Sequence, residues 1–125
     1  MEHKRFTVQE ARAELPWLRI QIERVQELAG RLSQNELQAI AQQKLAASNG
    51  HGLQRNSGAA ELAELHEIAR AIQNRGIQVK DLVRGLVDFP HLRAGREVLL
   101  CWLYGEDDIT WWHTEDDGFN GRQPL

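Results

Sequence analysis

Glu97–Tyr104 is a short run whose apolar side chains would lie on both sides of an extended chain. In a strand, successive side chains point to opposite faces, so one face carries Val98, Leu100, Trp102 and Tyr104 and the other carries Leu99, Cys101 and Leu103. An antiparallel sheet with one solvated face alternates apolar and polar residues. This run therefore predicts a central strand covered on both faces, by other layers of the fold or by a second chain.

Glycines ten residues apart divide this C-terminal third, at Gly85, Gly95 and Gly105. The segments between and after them have strand composition, and the predicted strands are Leu86–Phe89, Glu97–Tyr104 and Ile109–His113. Predicted turns lie at residues 92–95 and 105–108. The simplest arrangement is a three-stranded antiparallel meander.

The N-terminal part has helical periodicity instead. Thr7 and Glu10 form a capping-box pattern. Apolar residues then recur at alternating spacings of three and four, at Val8, Ala11, Leu15, Leu18, Ile22, Val25, Ala29 and Leu32. This heptad spacing predicts a long helix that packs on a core or forms a coiled-coil seam with a second helix. Pro16 lies inside the pattern and predicts a kink.

A second helix is predicted from about Gly58 to Arg75, with an apolar stripe of Leu62, Leu65, Ala69 and Ile72. Ser33 and Glu36 repeat the capping pattern, but we expect the first helix to continue to about Ala47, followed by a loop at 48–57. The predicted fold class is α+β. A long kinked helix and an antiparallel partner helix form a helical hairpin packed on a small three-stranded antiparallel sheet. The prediction is one domain, 1–125, with a helical part at 7–75 and a β part at 82–125.

Composition excludes several classes of protein. One cysteine cannot form an internal disulfide, and no apolar run approaches the roughly 18 residues of a membrane span. The N-terminus has no signal-peptide pattern. Residues 81–125 carry 4 basic and 9 acidic residues, a net charge of −5, whereas nucleic-acid binders present a basic face. We therefore predict a cytoplasmic protein that binds neither nucleic acid nor membrane.

The partner prediction is a homodimer. A small sheet in a short chain lacks an obvious cover for the second face of its central strand, and the heptad seam of the first helix is a second self-complementary surface. Most soluble oligomers are twofold dimers. The alternatives are that the helices sandwich the sheet, or that the C-terminal tail GFNGRQPL folds over it.

Several short motifs in the C-terminal third form a recognisable combination. The run GLVDFPHLRAGREVLLCWLYGEDDITWWH, followed by GFNGRQPL, resembles the prokaryotic family known as domain of unknown function 2203. The matching positions are Asp88–Pro90, Gly95–Arg96, Cys101–Trp102, Gly105–Glu106, Trp112–His113 and Gly118–Leu125. The resemblance implies a long helical N-terminal part before this block and a cytoplasmic prokaryotic protein. It implies no particular activity, and no catalytic residue is assigned.

Metal binding is one candidate chemistry. The metal-ligand candidates are His91, His113, Glu115 and Asp116, residue types that bind zinc, iron or manganese. No recognised ligand spacing supports them, so the prediction is no cofactor, with a divalent metal as the minor alternative. In the simpler interpretation, His113 hydrogen-bonds a carboxylate and the acidic residues form a solvated turn.

Small-molecule binding is the other candidate, with the ligand unknown. The candidate ligand-binding residues are Asp88, Arg96, Trp102, His113 and Arg122. Internal pairing is the favoured role of the two arginines, with Arg96 or Arg122 bridged to Asp88 so that the tail is locked onto the sheet. Cys101 is expected to be buried and therefore inert. The function prediction is a structural or interaction module acting as a homodimer; the alternative is a ligand- or metal-binding protein or minor enzyme with a polar site near His113.

Overall fold

The helical and the β-like parts of the sequence fold as two layers in a computed structural model, which describes residues 4–32, 34 and 58–125. The described helices are α1 (Val8–Ala13), α2 (Leu15–Ala29) and α3 (Ala59–Asn74). The strands are β1 (Gln78–Asp81), β2 (Leu86–Arg93), β3 (Arg96–Leu103), β4 (Trp111–His113) and β5 (Gln123–Pro124), with a 3₁₀ turn at Phe119–Gly121. The α+β class is confirmed. The predictions for Ser33, for the helix beyond it and for the 48–57 loop lie outside the described residues.

The N-terminal helical segment begins as its capping pattern predicts. The Thr7 hydroxyl accepts a hydrogen bond from the Glu10 amide at 3.0 Å, and the Glu10 carboxylate accepts one from the Thr7 amide at 2.8 Å. The single kinked helix is wrong, because α1 ends at Ala13 and α2 begins at Leu15. Pro16 has no N–H to donate to the Arg12 carbonyl, so it cannot continue α1. In the first turn of a new helix that N–H has no partner within the helix, so proline is tolerated there.

The helices α2 and α3 form the predicted antiparallel pair. Glu14, just before α2, bonds Arg75 just after α3 at 2.6 Å, while Arg24 bonds Glu64 near the start of α3 at 2.6 Å. The apolar stripes predicted for the two helices face the core. Leu62 is half-buried, and the fully buried members of α2 and α3 include Leu15, Leu18, Ile22, Val25, Leu65 and Ile72. The heptad seam is therefore used within the chain.

Within the described residues, the sheet has five antiparallel strands in the order β1-β2-β3-β4-β5 rather than the three predicted. The predicted strands correspond to β2, β3 and β4. Two edge strands were missed: β1 has four residues with only Val79 strongly apolar, and β5 has two residues, one of them Pro124. Both strands are too short to show a periodic apolar pattern, so the sequence alone does not mark them.

The middle strand is covered on both faces, as its composition predicts. Leu100 and Trp102 belong to the main core that the helices cover. Leu99 and Cys101 on the other face are also buried in the single chain. The chain itself therefore supplies the second cover. In the part of the chain that the structure describes, none of the helices combines the length and apolar character needed to cross a membrane.

Candidate functional site

The sheet face turned away from the helices carries a buried polar cluster. Asp88 in β2 lies directly opposite Cys101 in β3, and His113 in β4 lies opposite Leu99. Directly opposed residues share a face, and so do alternate residues of one strand. Asp88, Cys101 and His113 therefore meet on one face from three neighbouring strands. Their exposed fractions are only 2%, 0% and 2%.

His113 is held by both ring nitrogens. Its Nδ1 lies 2.6 Å from the Thr114 carbonyl oxygen, and its Nε2 lies 3.1 Å from Asp88 Oδ1. One ligand atom from each of Asp88, Cys101 and His113 lies within 4.8 Å of the other two. The interpretation that His113 bonds a carboxylate is thus confirmed, and the carboxylate is Asp88 in the strand two positions along the sheet.

The protons of this pair can be assigned from the hydrogen-bond partners. A carbonyl only accepts, so the Nδ1 of His113 carries a hydrogen. A neutral imidazole has one N–H, and its Nε2 would then present a lone pair to a carboxylate that also only accepts. The contact at 3.1 Å therefore needs something positive between Nε2 and Asp88 Oδ1. That is either one additional proton shared by the pair or a metal cation.

Cys101 adds sulfur to the cluster. Burial, and secondly the charge of Asp88, raises the pKa of the Cys101 thiol to about 12. The thiol therefore keeps its proton at neutral pH and is a poor nucleophile, in agreement with its buried position. A metal ion can still displace that proton, because a coordinating thiol is deprotonated outright.

The segment 114–122, here called the C-terminal strap, lies over this face. Arg122 near its end forms two bonds with Glu106, at 3.1 and 2.9 Å, and its Nη1 lies 3.9 Å from Cys101 Sγ. The guanidinium also lies over the rings of Trp111 at 4.9 Å and Phe119 at 4.2 Å. The tail thus folds over the sheet with Arg122 paired internally, although its acidic partner is Glu106 rather than Asp88.

The remaining candidates lie apart from the cluster. Arg96 is exposed beside the β2–β3 turn, and Trp102 lies on the helix-covered face, where its indole N–H donates to the Glu106 carbonyl at 3.1 Å. His91 also lies on the helix-covered face, with its Nδ1 2.7 Å from the Phe6 carbonyl oxygen, so it cannot share an ion with His113. The acidic residues that follow His113, Glu115 and Asp116, are exposed.

Cys101 was missing from the metal candidates, and the strand pairing explains how it could have been found. Ala94 and Gly95 form the two-residue β2–β3 turn, with φ angles of 52° and 81°. Such a turn requires positive φ at both residues and determines the pairing of the flanking strands. Counting outward from it places Asp88 opposite Cys101. The composition of residues 92–95 predicts a turn without selecting its central pair, so it leaves this register open.

Comparison with models of known protein families identifies a match. The model of the family described as "Uncharacterized conserved protein (DUF2203)" matches residues 4–125, nearly the whole chain. The predicted resemblance is confirmed. No curated protein and no solved structure matches the chain.

Proposed function

The chain belongs to the DUF2203 family, and we propose that it is a metal-binding protein whose divalent ion is held by Asp88, Cys101 and His113. The observation that carries the proposal is the direct approach of His113 Nε2 to Asp88 Oδ1 beside a buried sulfur. Three electron-rich atoms from three strands converge there, and a cation satisfies all three together.

The distances suit a tetrahedral ion. Nitrogen, oxygen and sulfur ligands of a tetrahedral zinc stand roughly 3.3 to 3.6 Å apart. The nitrogen and oxygen are already 3.1 Å apart, and every pair within the cluster lies within 4.8 Å. A displacement of about 1 Å, within the reach of a side-chain rotation, brings the sulfur to its position.

The surroundings of His113 and the charge of the cluster also favour an ion. A metal-binding histidine almost always donates its other N–H to a carbonyl or carboxylate, as Nδ1 does to Thr114. Without metal, a protonated pair and a neutral thiol have no net charge. With a divalent ion, a carboxylate and a thiolate again sum to zero. The buried site therefore exchanges two protons for one ion without gaining charge, which avoids the cost of a buried net charge.

The ligand set selects the class of metal. Mixed sulfur, nitrogen and oxygen ligands suit zinc and its neighbours, whereas magnesium and calcium take oxygen ligands. Three protein ligands leave a fourth position on a tetrahedral ion. A cavity on the same face, beside Leu99 and Gln78, has a volume of about 70 Å³. Small-molecule pockets usually measure roughly 300–1,000 Å³, so this cavity, which Gln78, Leu99 and Glu115 line rather than the three ligands, is too small for a typical metabolite.

The test is metal analysis of protein purified without tags or chelators. We expect about one zinc-class ion per chain, lost in Cys101→Ala and in His113→Gln. The matched control is His91→Gln, because His91 also bonds a backbone carbonyl but lies on the other face of the sheet. If the wild-type chain stays metal-free with zinc supplied in excess, the cluster is a structural ion pair and the proposal is wrong.

The chain is also predicted to form a homodimer and to act as an interaction module, and this prediction is separate from metal binding. Its two motives, the second sheet face and the heptad seam, are both covered within the single chain. Ile20 on α2 and Leu92 on β2 are large apolar side chains that remain exposed. Sedimentation equilibrium at micromolar concentration tests it, since a mass near 14.3 kDa throughout would rule out the dimer.

A further inference from the structure

The C-terminal strap touches two of the three proposed ligands, and it does so at its two ends. Its first residue, Thr114, accepts the hydrogen bond from His113 Nδ1 at 2.6 Å. Near its end, Arg122 places Nη1 3.9 Å from Cys101 Sγ. Residues that bond to metal ligands from outside orient those ligands and tune the ion. The strap is therefore positioned to act on the site without contributing a ligand.

Among the residues that the structure describes, few contacts close the strap. It leaves the sheet after β4 and returns as β5, which pairs with β4 through two residue pairs and one further bond from the Leu125 amide to the Thr110 carbonyl at 2.9 Å. A segment held to the sheet by such short strand pairing opens locally at low cost in free energy. The strongest described contact is the paired hydrogen bond between Arg122 and Glu106, with the Arg122 side chain only 14% exposed.

We propose that this strap is the gate of the metal site, with the Arg122–Glu106 pair as its latch and Arg122 as a positioning residue for the Cys101 sulfur. The inference rests on the proposed metal binding. Closed, the strap shields the ion from competing ligands in solution, and the Arg122 hydrogen bond keeps the sulfur aligned. Opening requires the latch and the short β5 pairing to break together, so release of the ion follows strap opening.

The geometry of the latch explains why an arginine is used. Its fork bonds both oxygens of Glu106 while its flat face packs on Trp111 and Phe119. One side chain thereby fixes the strap to the Leu103–Glu106 turn and keeps an N–H directed at the sulfur. Lysine can keep the charge but not the paired bonds. Arg122→Lys therefore separates the contribution of the positive charge from that of the paired hydrogen bonds to Glu106.

The experiment loads the protein with Co²⁺, whose thiolate charge-transfer absorption reports the sulfur–metal bond, and follows release of the ion into an excess of chelator. We expect Arg122→Gln to release cobalt about 10- to 100-fold faster than wild type, and Glu106→Gln to accelerate release in the same direction. Arg122→Gln should also move the absorption band to lower energy, because the sulfur loses a hydrogen bond. A purely structural role of Arg122 would not move that band. Arg122→Lys should restore part of the slow release.

Arg93→Gln is the matched control, since Arg93 also stacks on a tryptophan, Trp112, at 4.7 Å but lies at the far end of β2. It should leave both the band and the release rate unchanged. Circular dichroism verifies that each variant is folded, and Glu106→Gln tests the latch if Arg122→Gln is not. A wild-type chain without the thiolate band contradicts the proposed function and the gate with it. A normal band with unchanged release in both latch variants contradicts the gate alone.

Discussion

Gly85 precedes β2 at a point where three elements meet, and it allows a sharp test of the packing. Its φ is +76°, a region that residues with a Cβ rarely adopt. A Cβ at this position would lie 2.6 Å from the Tyr104 Cβ and 2.7 Å from the Ile22 Cγ2. Gly85→Ala therefore adds a backbone strain and a steric overlap between the sheet and α2.

Gly95 separates the two effects. Its φ is +81°, close to that of Gly85, but a Cβ there meets no atom of the described residues within 4 Å. The backbone strain is about 1–2 kcal/mol in either position. Overpacking in a filled core adds about 1–3 kcal/mol at Gly85 alone. We expect Gly95→Ala to cost about 1–2 kcal/mol of unfolding free energy and Gly85→Ala about 2–5 kcal/mol. The gain from a stiffer unfolded chain is the same for both and cancels in the difference.

Urea unfolding followed by far-ultraviolet circular dichroism measures this difference. For a chain of this size the free energy of unfolding changes by about 1–3 kcal/mol per molar urea, so the two midpoints should differ by roughly 1 M. Equal midpoints would show that Ile22 and Tyr104 move aside at no cost, and would refute the tight contact between α2 and the β1–β2 connection.

Three further predictions concern the core, the thiol and the surface. Ile22→Ala should cost about 2–5 kcal/mol, since this side chain is fully buried, and an unchanged urea midpoint would contradict it. Folding raises the pKa of the Cys101 thiol from its ordinary value of 9.0 to about 12. The folded chain therefore keeps this proton at pH values where the unfolded chain has lost it. The contribution of this thiol to the free energy of unfolding is therefore complete below about pH 9 and is lost as the pH rises toward 12. In metal-free protein treated with a chelator, Cys101→Ala should lose less stability than wild type over this alkaline range. The net charge of −5 on residues 81–125 predicts no specific nucleic-acid binding, and a salt-sensitive shift with DNA or RNA that neutralising Arg122 abolishes would overturn it.

Several parts of the fold follow from local patterns in the sequence. The capping box at Thr7 and the spacing of apolar residues from Leu15 to Val25 place the helices and their buried face, because a helix repeats its environment every few residues. The alternation in Glu97–Tyr104 identifies a strand buried on both faces. These properties depend on near neighbours in the chain, and the sequence contains them directly. The position of Pro16 also marks where the helix is interrupted. It does not show that two separate helices form there.

The candidate site depended on the tertiary structure. Asp88, Cys101 and His113 are separated by more than ten residues from one another, and only the antiparallel register brings them to one face. That register follows from which two residues form the β2–β3 turn, a choice that the composition of 92–95 leaves open. The pairing of Arg122 with Glu106 instead of Asp88 likewise depends on a contact between separate parts of the chain. The strands β1 and β5 are too short and too polar to show a pattern in the sequence, and only the sheet reveals them. The sequence by itself determined the main helical segments, the strands β2 to β4 and which faces of them are buried, because those patterns are local. The tertiary structure alone decided which polar side chains share the buried face, since a shift of one residue in strand pairing sends each side chain to the opposite side of the sheet.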